Sequence, residues 1–207
     1  MISYPRLLAS ALFCVGAVAC APARDRNTKE APPPAAISSA TSTTATSAAA
    51  AIAASTDPKS WTVTEYGIGP LRAGMTFKAA ADSLKGALHA DARANLNECN
   101  YVQWVDGPRG VLVMVEQGNI ARVDITTMDV STDLGARVGD TESHIQSLYP
   151  GRVRVSPHKY EDGHYLTIKA ANTGDSLYRI IFETASGRVT RYRAGLMPAV
   201  EFVEGCS

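Results

Sequence analysis

The segment from residue 21 to residue 60 sets the limit on what this chain can fold into. It consists largely of Ala, Ser, Thr and Pro, with no aromatic residue and almost no large apolar one. Such a segment cannot bury enough apolar surface to offset the entropy lost on ordering. We therefore expect a disordered tether over residues 21–60 and a single domain over residues 61–207, a length that suffices for one core.

Residues 1–20 have the pattern of an export signal. Arg6 supplies a positive charge, and the uncharged apolar run over residues 7–18 is shorter than the roughly 20 residues that span a bilayer. The sequence Ala-Val-Ala-Cys that ends at Cys20 resembles a bacterial lipoprotein signal, although Ala stands where Leu is commonest. The resemblance implies a lipid on Cys20 that attaches the protein to a membrane. Ordinary cleavage after Ala19 or Ala23 is the alternative.

Cysteine parity bears on the same question. Cys14 leaves with the signal, and acylation of Cys20 leaves Cys99 and Cys206 as a pair that an oxidising compartment would join. Cleavage before Cys20 without acylation leaves an odd thiol, whereas cleavage a few residues later again leaves two cysteines. We expect a Cys99–Cys206 disulfide in a protein of the bacterial envelope. It would be lipid-anchored to the outer membrane facing the periplasm, or periplasmic or secreted if no lipid is attached.

Residues 61–207 combine short strands with two short helices. Thr76 and Thr141 are each predicted to cap a helix, because apolar residues follow each at helical spacing. The first apolar stripe runs from Phe77 to Leu88, and residues 67–74 are interpreted as a Gly/Pro loop. Turns of hairpin length favour antiparallel pairing of the strands. Strands are predicted over residues 61–66, 101–105, 111–116, 120–126, 153–156, 165–170, 177–183 and 188–194.

The two helix entries share a pattern, Gly74-Met-Thr76 in one half and Gly139-Asp-Thr141 in the other. The order of elements predicts an α+β domain of two tandem repeats, residues 61–130 and 131–207. Each repeat would join a helix to an antiparallel sheet, with the helices on one sheet face.

This arrangement resembles two groups of proteins. One is the small outer-membrane assembly lipoproteins (SmpA/OmlA-like), and the other is the tandem-repeat β-lactamase inhibitory proteins. The second resemblance implies a concave sheet that binds a protein partner. The residues that the inhibitory proteins use for binding have no identified match in this chain, so the resemblance assigns no site residue.

The hairpin segment from Pro157 to Tyr165 holds the densest group of polar side chains. His158 and His164 flank it and could lie near each other across the hairpin, while Lys159 and Tyr160 are further candidate ligand-binding residues. Zinc sites require three or four well-placed ligands, so we assign no metal and no cofactor. The sequence also contains no Gly-x-Ser-x-Gly elbow, phosphate-binding loop or dinucleotide fingerprint, so we assign no catalytic residue.

Charge is balanced over the whole chain, at 20 basic and 20 acidic residues, which favours no nucleic-acid partner. Basic residues are nevertheless concentrated in the second half, where Arg179, Arg191 and Arg193 are expected on neighbouring strands. A cationic sheet face there would suit an anionic glycan or an acidic protein surface.

We therefore expect a non-enzymatic binding module of the envelope, with a protein partner or glycan as its ligand. Two alternatives are a small metal-dependent or hydrolytic enzyme centred on His158 and His164, and a structural accessory of outer-membrane assembly.

Overall fold

The computed structural model describes residues 57–206. This part of the chain forms an α+β domain that is mostly sheet. The predicted signal, its lipidation site Cys20 and residues 21–56 of the predicted tether lie outside the described residues. Pro58–Ser60, which we had counted in the tether, form a 3-10 helix. Within the described range no helix has the length and apolar character needed to cross a membrane.

The strands form two antiparallel sheets, one of three strands and one of eight. The small sheet consists of β1 (Val63–Thr64), β2 (Gly67–Ile68) and β3 (Leu71–Arg72). The large sheet has the spatial order β4-β5-β6-β7-β11-β10-β9-β8. Its strands are β4 (Leu88–His89), β5 (Asn100–Trp104), β6 (Val111–Glu116), β7 (Asn119–Ile125), β8 (Val153–Pro157), β9 (His164–Lys169), β10 (Tyr178–Ala185) and β11 (Arg188–Leu196).

Helix α1 (Phe77–Ser83) precedes β4, and helix α2 (Glu142–Leu148) precedes β8, so each helix is followed by four strands of the large sheet. Both helices begin as predicted. The Thr76 hydroxyl oxygen accepts the backbone N–H of Ala79, and that of Thr141 accepts the N–H of His144. Each contact satisfies one of the free donors at a helix start.

The loops that lead into the two helices make equivalent hydrogen bonds. Gly74 has a φ of 92° and Gly139 a φ of 94°, values that favour glycine. The Gly74 N–H donates to the Ile120 carbonyl in β7, and the Gly139 N–H donates to the Val189 carbonyl in β11. Each helix is thereby attached to the last strand of the four that follow it, and β7 and β11 are neighbours in the middle of the sheet.

One apolar core lies between the helices and the large sheet. Ala80 of α1 and Ile145 of α2 are fully buried and belong to the same cluster as Val123, Phe182 and Tyr192 of the sheet. Because residues two apart in a strand share a face, this cluster places both helices on one face of the sheet.

Part of the opposite face of the sheet is covered by residues 197–206, which we call the C-terminal strap. Cys99 and Cys206 form the predicted disulfide, with their Cα atoms 5.2 Å apart. The buried Arg122 of β7 donates hydrogen bonds to the strap carbonyls of Ala199 and Phe202, at 2.7 and 2.6 Å. The disulfide and this guanidinium hold the strap against the sheet.

Two segments differ from the sequence prediction. Residues 67–74 contain β2 and β3 rather than a loop, and Ile68 and Leu71 are fully buried there. The predicted strand over residues 61–66 is reduced to Val63–Thr64. Leu88, placed at the end of the first helical stripe, lies in β4, because the chain leaves the helix after Leu84.

Candidate functional site

The arginines of the predicted cationic face are largely committed to the protein itself. Arg193 is 3% exposed and forms an ion pair with Glu183, which is 1% exposed. The half-exposed Arg191 donates to the same carboxylate from Nε at 2.5 Å. Arg179 donates from Nη1 to the carbonyl of Tyr178 at 2.7 Å. Arg193 is therefore a buried structural residue and does not belong to an open cationic surface.

His158 is buried beside the same Glu183 carboxylate. Its Nδ1 accepts the backbone N–H groups of Tyr160 and Glu161, both at 3.1 Å, so the ring proton is carried by Nε2. Nε2 lies 3.3 Å from the Glu183 carboxylate, to which it donates. The ring also stacks on Tyr165, with centroids 4.4 Å apart. These contacts use both ring nitrogens to hold the hairpin loop closed.

Burial would raise the pKa of the Glu183 carboxyl, but the positive charges and hydrogen bonds of Arg193 and Arg191 outweigh it and lower that pKa. The carboxylate thus stays charged inside the protein. Lys159 and Tyr160 do not contact this group and instead reach the strap, where both hydrogen bond with the Glu204 carboxylate.

His164 lies on the other side of the sheet. Its Nδ1 is 2.9 Å from the Glu142 carboxylate of α2, and Thr184 donates to the same oxygen at 2.6 Å. Burial raises the pKa of Glu142, but these hydrogen bonds outweigh it and lower the pKa. Because Tyr165 stacks on His158 and follows His164 in β9, the two imidazoles face opposite ways. Residues 57–206 also contain no group of three or more His, Cys, Asp or Glu residues that could hold a metal.

A different site is formed by the two tryptophans of the chain. Trp61, just before β1, and Trp104, at the end of β5, have ring centroids 5.8 Å apart and an interplanar angle of 31°. They line a cleft of about 490 Å³, within the usual range for ligand pockets. We call it the tryptophan cleft. Its other lining residues are Pro58, Gly69, Pro70, Ser83, Leu84, Lys85, Ala87, Val105 and Asp106.

Glycines allow both indoles to lie flat against the backbone. A Cβ atom at Gly69 would overlap the Trp61 ring, and one at Gly107 would overlap the Trp104 ring. Both tryptophans are partly buried and pack against the main core on one side. The aromatic wall of the cleft is therefore rigid and is supported from below by backbone.

Two charged residues lie at the cleft with positive φ angles, Lys85 at 53° and Asp106 at 60°. Left-handed backbone is unfavourable for residues with a Cβ by roughly 1–2 kcal/mol. The other non-glycine residues with positive φ among those described, Gln117 and Ser186, occupy tight turns that connect β6 to β7 and β10 to β11.

Lys85 occupies the position after a helix end that glycine usually takes. The Gly86 N–H donates to the Ala81 carbonyl at 2.8 Å and the Lys85 N–H to the Asp82 carbonyl at 3.1 Å, the pair of hydrogen bonds that closes many helices. A lysine at this position is less favourable than glycine, because its Cβ is strained in left-handed backbone.

A second cleft, of about 640 Å³, adjoins the first and shares Asp106 with it. Its lining includes Lys59, Arg109 and Asp129. We call the two adjoining clefts together the groove; its first part has the aromatic wall, and its lining carries both acidic and basic side chains. This site could not be predicted from the sequence, because its residues come from separate segments and no spacing in the sequence brings Trp61 and Trp104 together.

No family model matches the chain, and a comparison with curated proteins gives no match. Solved structures that resemble it include the crystal structure of the uncharacterized protein YfeY from Escherichia coli. That protein is 18% identical, the similarity covers 65% of this chain and 99% of that one, and the TM-score is 0.39.

Proposed function

We propose that this protein is a non-enzymatic binding module of the bacterial envelope and that its ligand occupies the tryptophan cleft. The observation that carries the proposal is the convergence of both tryptophans on one open cleft. Lys85 and Asp106 stand at that cleft with positive φ angles, a backbone conformation that is unfavourable for lysine although aspartate tolerates it. Energetically unfavourable backbone of this kind clusters at functional sites.

Binding is favoured over catalysis by the state of the two histidines. His158 is 2% exposed in its side chain and uses both ring nitrogens in structural hydrogen bonds. His164 retains a half-exposed ring beside Glu142, a pair that could move a proton. The hydroxyl nearest to the pair, that of Thr184, is fully buried and donates to the Glu142 carboxylate, so it has a structural hydrogen bond and is not open to a substrate as a nucleophile.

We further propose attachment to the membrane through a lipid on Cys20. The Ala-Val-Ala-Cys pattern and the pairing of the remaining cysteines, Cys99 with Cys206, support it. Labelling cells that express the full chain with radioactive palmitate should label the protein, and Cys20→Ser should abolish the label and move the protein to a soluble fraction. A labelled Cys20→Ser protein would contradict the proposal.

We also propose that residues 61–130 and 131–207 are tandem repeats of one unit. The same order of one helix and four strands supports this, as do the equivalent hydrogen bonds of Gly74 and Gly139. A relationship to the outer-membrane assembly lipoproteins or to the β-lactamase inhibitory proteins is a further proposal on this ground. A structural accessory role would predict partner contacts that do not depend on the tryptophan cleft.

Intrinsic fluorescence tests the binding proposal directly, because the chain has two tryptophans and both line the cleft. Purified full-length protein should change its emission on titration with solubilised envelope polymers, separated into glycan and peptide fractions. The variant Trp104→Phe keeps an aromatic ring on Gly107. It should retain less of whichever fraction changes the emission of the unmodified protein. Unchanged fluorescence with both fractions, and equal retention of the variant, would overturn the proposal.

A further inference from the structure

We infer that the ligand of the tryptophan cleft is a glycan without net negative charge, an inference that rests on the proposed function. Three features of the groove carry it: the aromatic wall, the pairing of acceptor and donor groups at the rim, and the mixed charge of the lining. The acceptor at the rim also weighs against a proline-rich peptide.

The aromatic wall fits a sugar ring. The face of an indole carries partial negative charge, and it attracts groups with partial positive charge. Sugar C–H bonds on one side of the ring present such a surface, flat and apolar, over an area comparable to an indole. Trp61 and Trp104 are held in place by the backbone at Gly69 and Gly107, so little ordering is required when a ring stacks on them.

The rim offers groups that match hydroxyls. Asp106 is an acceptor, whose two carboxylate oxygens can take both hydroxyl protons of a vicinal diol. Lys85 is a donor and can donate hydrogen bonds to the oxygen of a hydroxyl or of an amide carbonyl. A sugar hydroxyl both donates and accepts, so it satisfies either group. The hydroxyl of Ser83, at the same cleft, can also do both.

Peptides fit the groove less well. A proline-rich segment, the usual ligand of aromatic grooves, has carbonyl acceptors but lacks the N–H donors that the Asp106 carboxylate would require. An extended peptide would need a free sheet edge, and the edge strand at this end, β4, has two residues. We therefore argue for the glycan and treat the peptide as an outcome of the test.

Charge at the groove disfavours a strongly anionic ligand. The basic residues Lys59, Lys85 and Arg109 are accompanied by the acidic residues Asp106 and Asp129, so the lining is mixed in charge rather than uniformly basic. A polyanion would bring like charges close to both carboxylates, at an energetic penalty. The sequence had suggested an anionic glycan through Arg191 and Arg193, and this groove favours a neutral one instead.

The test uses four probes with the purified full-length protein: a neutral tetramer of N-acetylglucosamine, a neutral tetramer of glucose, a tetramer of galacturonate and a proline-rich peptide. Binding is followed by tryptophan fluorescence and confirmed by calorimetry. We expect at least one neutral tetramer to bind more tightly than the galacturonate and the peptide. Asp106→Asn, which preserves shape and tolerates the left-handed backbone, should weaken that binding about tenfold.

Asp82→Asn is the matched control, because Asp82 is an exposed residue of α1 paired with Lys78 and lies outside both clefts. It should bind as the unmodified protein does. If only the peptide binds, and Trp104→Phe weakens that binding, the glycan inference is overturned but the proposed function stands. Tighter binding of galacturonate, or equal binding by Asp106→Asn, would also overturn the glycan inference. If no probe binds and solubilised envelope polymers also leave the fluorescence unchanged, both proposals fall.

Discussion

Replacing Glu183 by methionine should destabilise the protein more than any surface substitution. The Glu183 carboxylate accepts hydrogen bonds from Arg193, Arg191 and the Nε2–H of His158, and Glu183 is 1% exposed. Without it, Arg193 stays buried with the Val200 carbonyl as its remaining hydrogen-bond partner. The guanidinium would then hold its charge inside the protein with no counter-charge in contact.

The expected loss follows from that geometry. Removing one partner of a buried ion pair costs about 3–5 kcal/mol of unfolding free energy. For a domain of this size about 1 kcal/mol corresponds to roughly 2–4 °C in Tm, so Glu183→Met should lower Tm by about 6–20 °C. Urea unfolding of the oxidised protein at neutral pH, followed by tryptophan fluorescence, measures the loss.

A double variant isolates the cause. When Glu183→Met is combined with Arg193→Met, no unpaired charge is left, and apolar replacement of a buried pair is often neutral or stabilising. The double variant should therefore recover most of the stability that the single variant loses. Glu161→Met serves as the control, because Glu161 is exposed on the neighbouring hairpin.

One result would refute the reasoning. If Glu183→Met loses less than about 1 kcal/mol and the double variant is no more stable than the single one, water reaches Arg193 in solution. The guanidinium would then be available to a ligand, as the sequence had suggested.

Three further outcomes are expected, each measured by urea unfolding. Reducing the Cys99–Cys206 disulfide, or replacing both residues by serine, should remove about 4–5 kcal/mol, because the bond closes a loop with a sequence separation of 107. Thr76→Ala should remove about 1 kcal/mol through loss of the α1 cap. Despite burial, hydrogen bonds hold the pKa of Glu142 below its ordinary 4.5. The stabilisation that ionised Glu142 contributes is present above pH 4.5 and is lost as the pH falls through the lower folded-state pKa. Glu142→Gln removes this contribution, so the free energy of unfolding of the variant should fall less steeply as the pH is lowered.

Local patterns predicted much of the fold. The helix starts at Thr76 and Thr141 are set by side-chain hydrogen bonds within three residues, so they can be identified from the sequence. The tight turn that contains Gln117 and Gly118 joins the strands predicted over residues 111–116 and 120–126, and its glycine is likewise a local signal. Cysteine parity predicted the disulfide, because two cysteines remained once the predicted signal, with Cys20, was set aside.

The small sheet was missed because tertiary packing overrides turn composition. Gly67 and Pro70 are typical of a loop, yet Ile68 and Leu71 are fully buried in the main core. Burial of two large side chains outweighs the weak intrinsic preference of a four-residue stretch.

The candidate site was harder to predict, for a related reason. Alternation in β11 placed Arg191 and Arg193 on one side of a strand, but it carried no information about what covers that side. The strap does so, and it comes from the far end of the chain. The tryptophan cleft is likewise lined by residues that precede β1, connect β2 to β3, and end or follow α1 and β5, so no single segment encodes it.

Lys85→Gly separates the contribution of a residue to stability from its contribution to binding. At a φ of 53° glycine avoids the Cβ penalty, so the substitution should stabilise the protein by about 1 kcal/mol. If Lys85 binds the ligand, the more stable variant should nevertheless bind the neutral tetramer more weakly. Gln117→Gly, at a φ of 51° in the turn between β6 and β7, should stabilise similarly without affecting binding. Equal binding by the two variants would mean that Lys85 has no part in recognition, and its left-handed backbone would then be no argument for a functional site at this cleft.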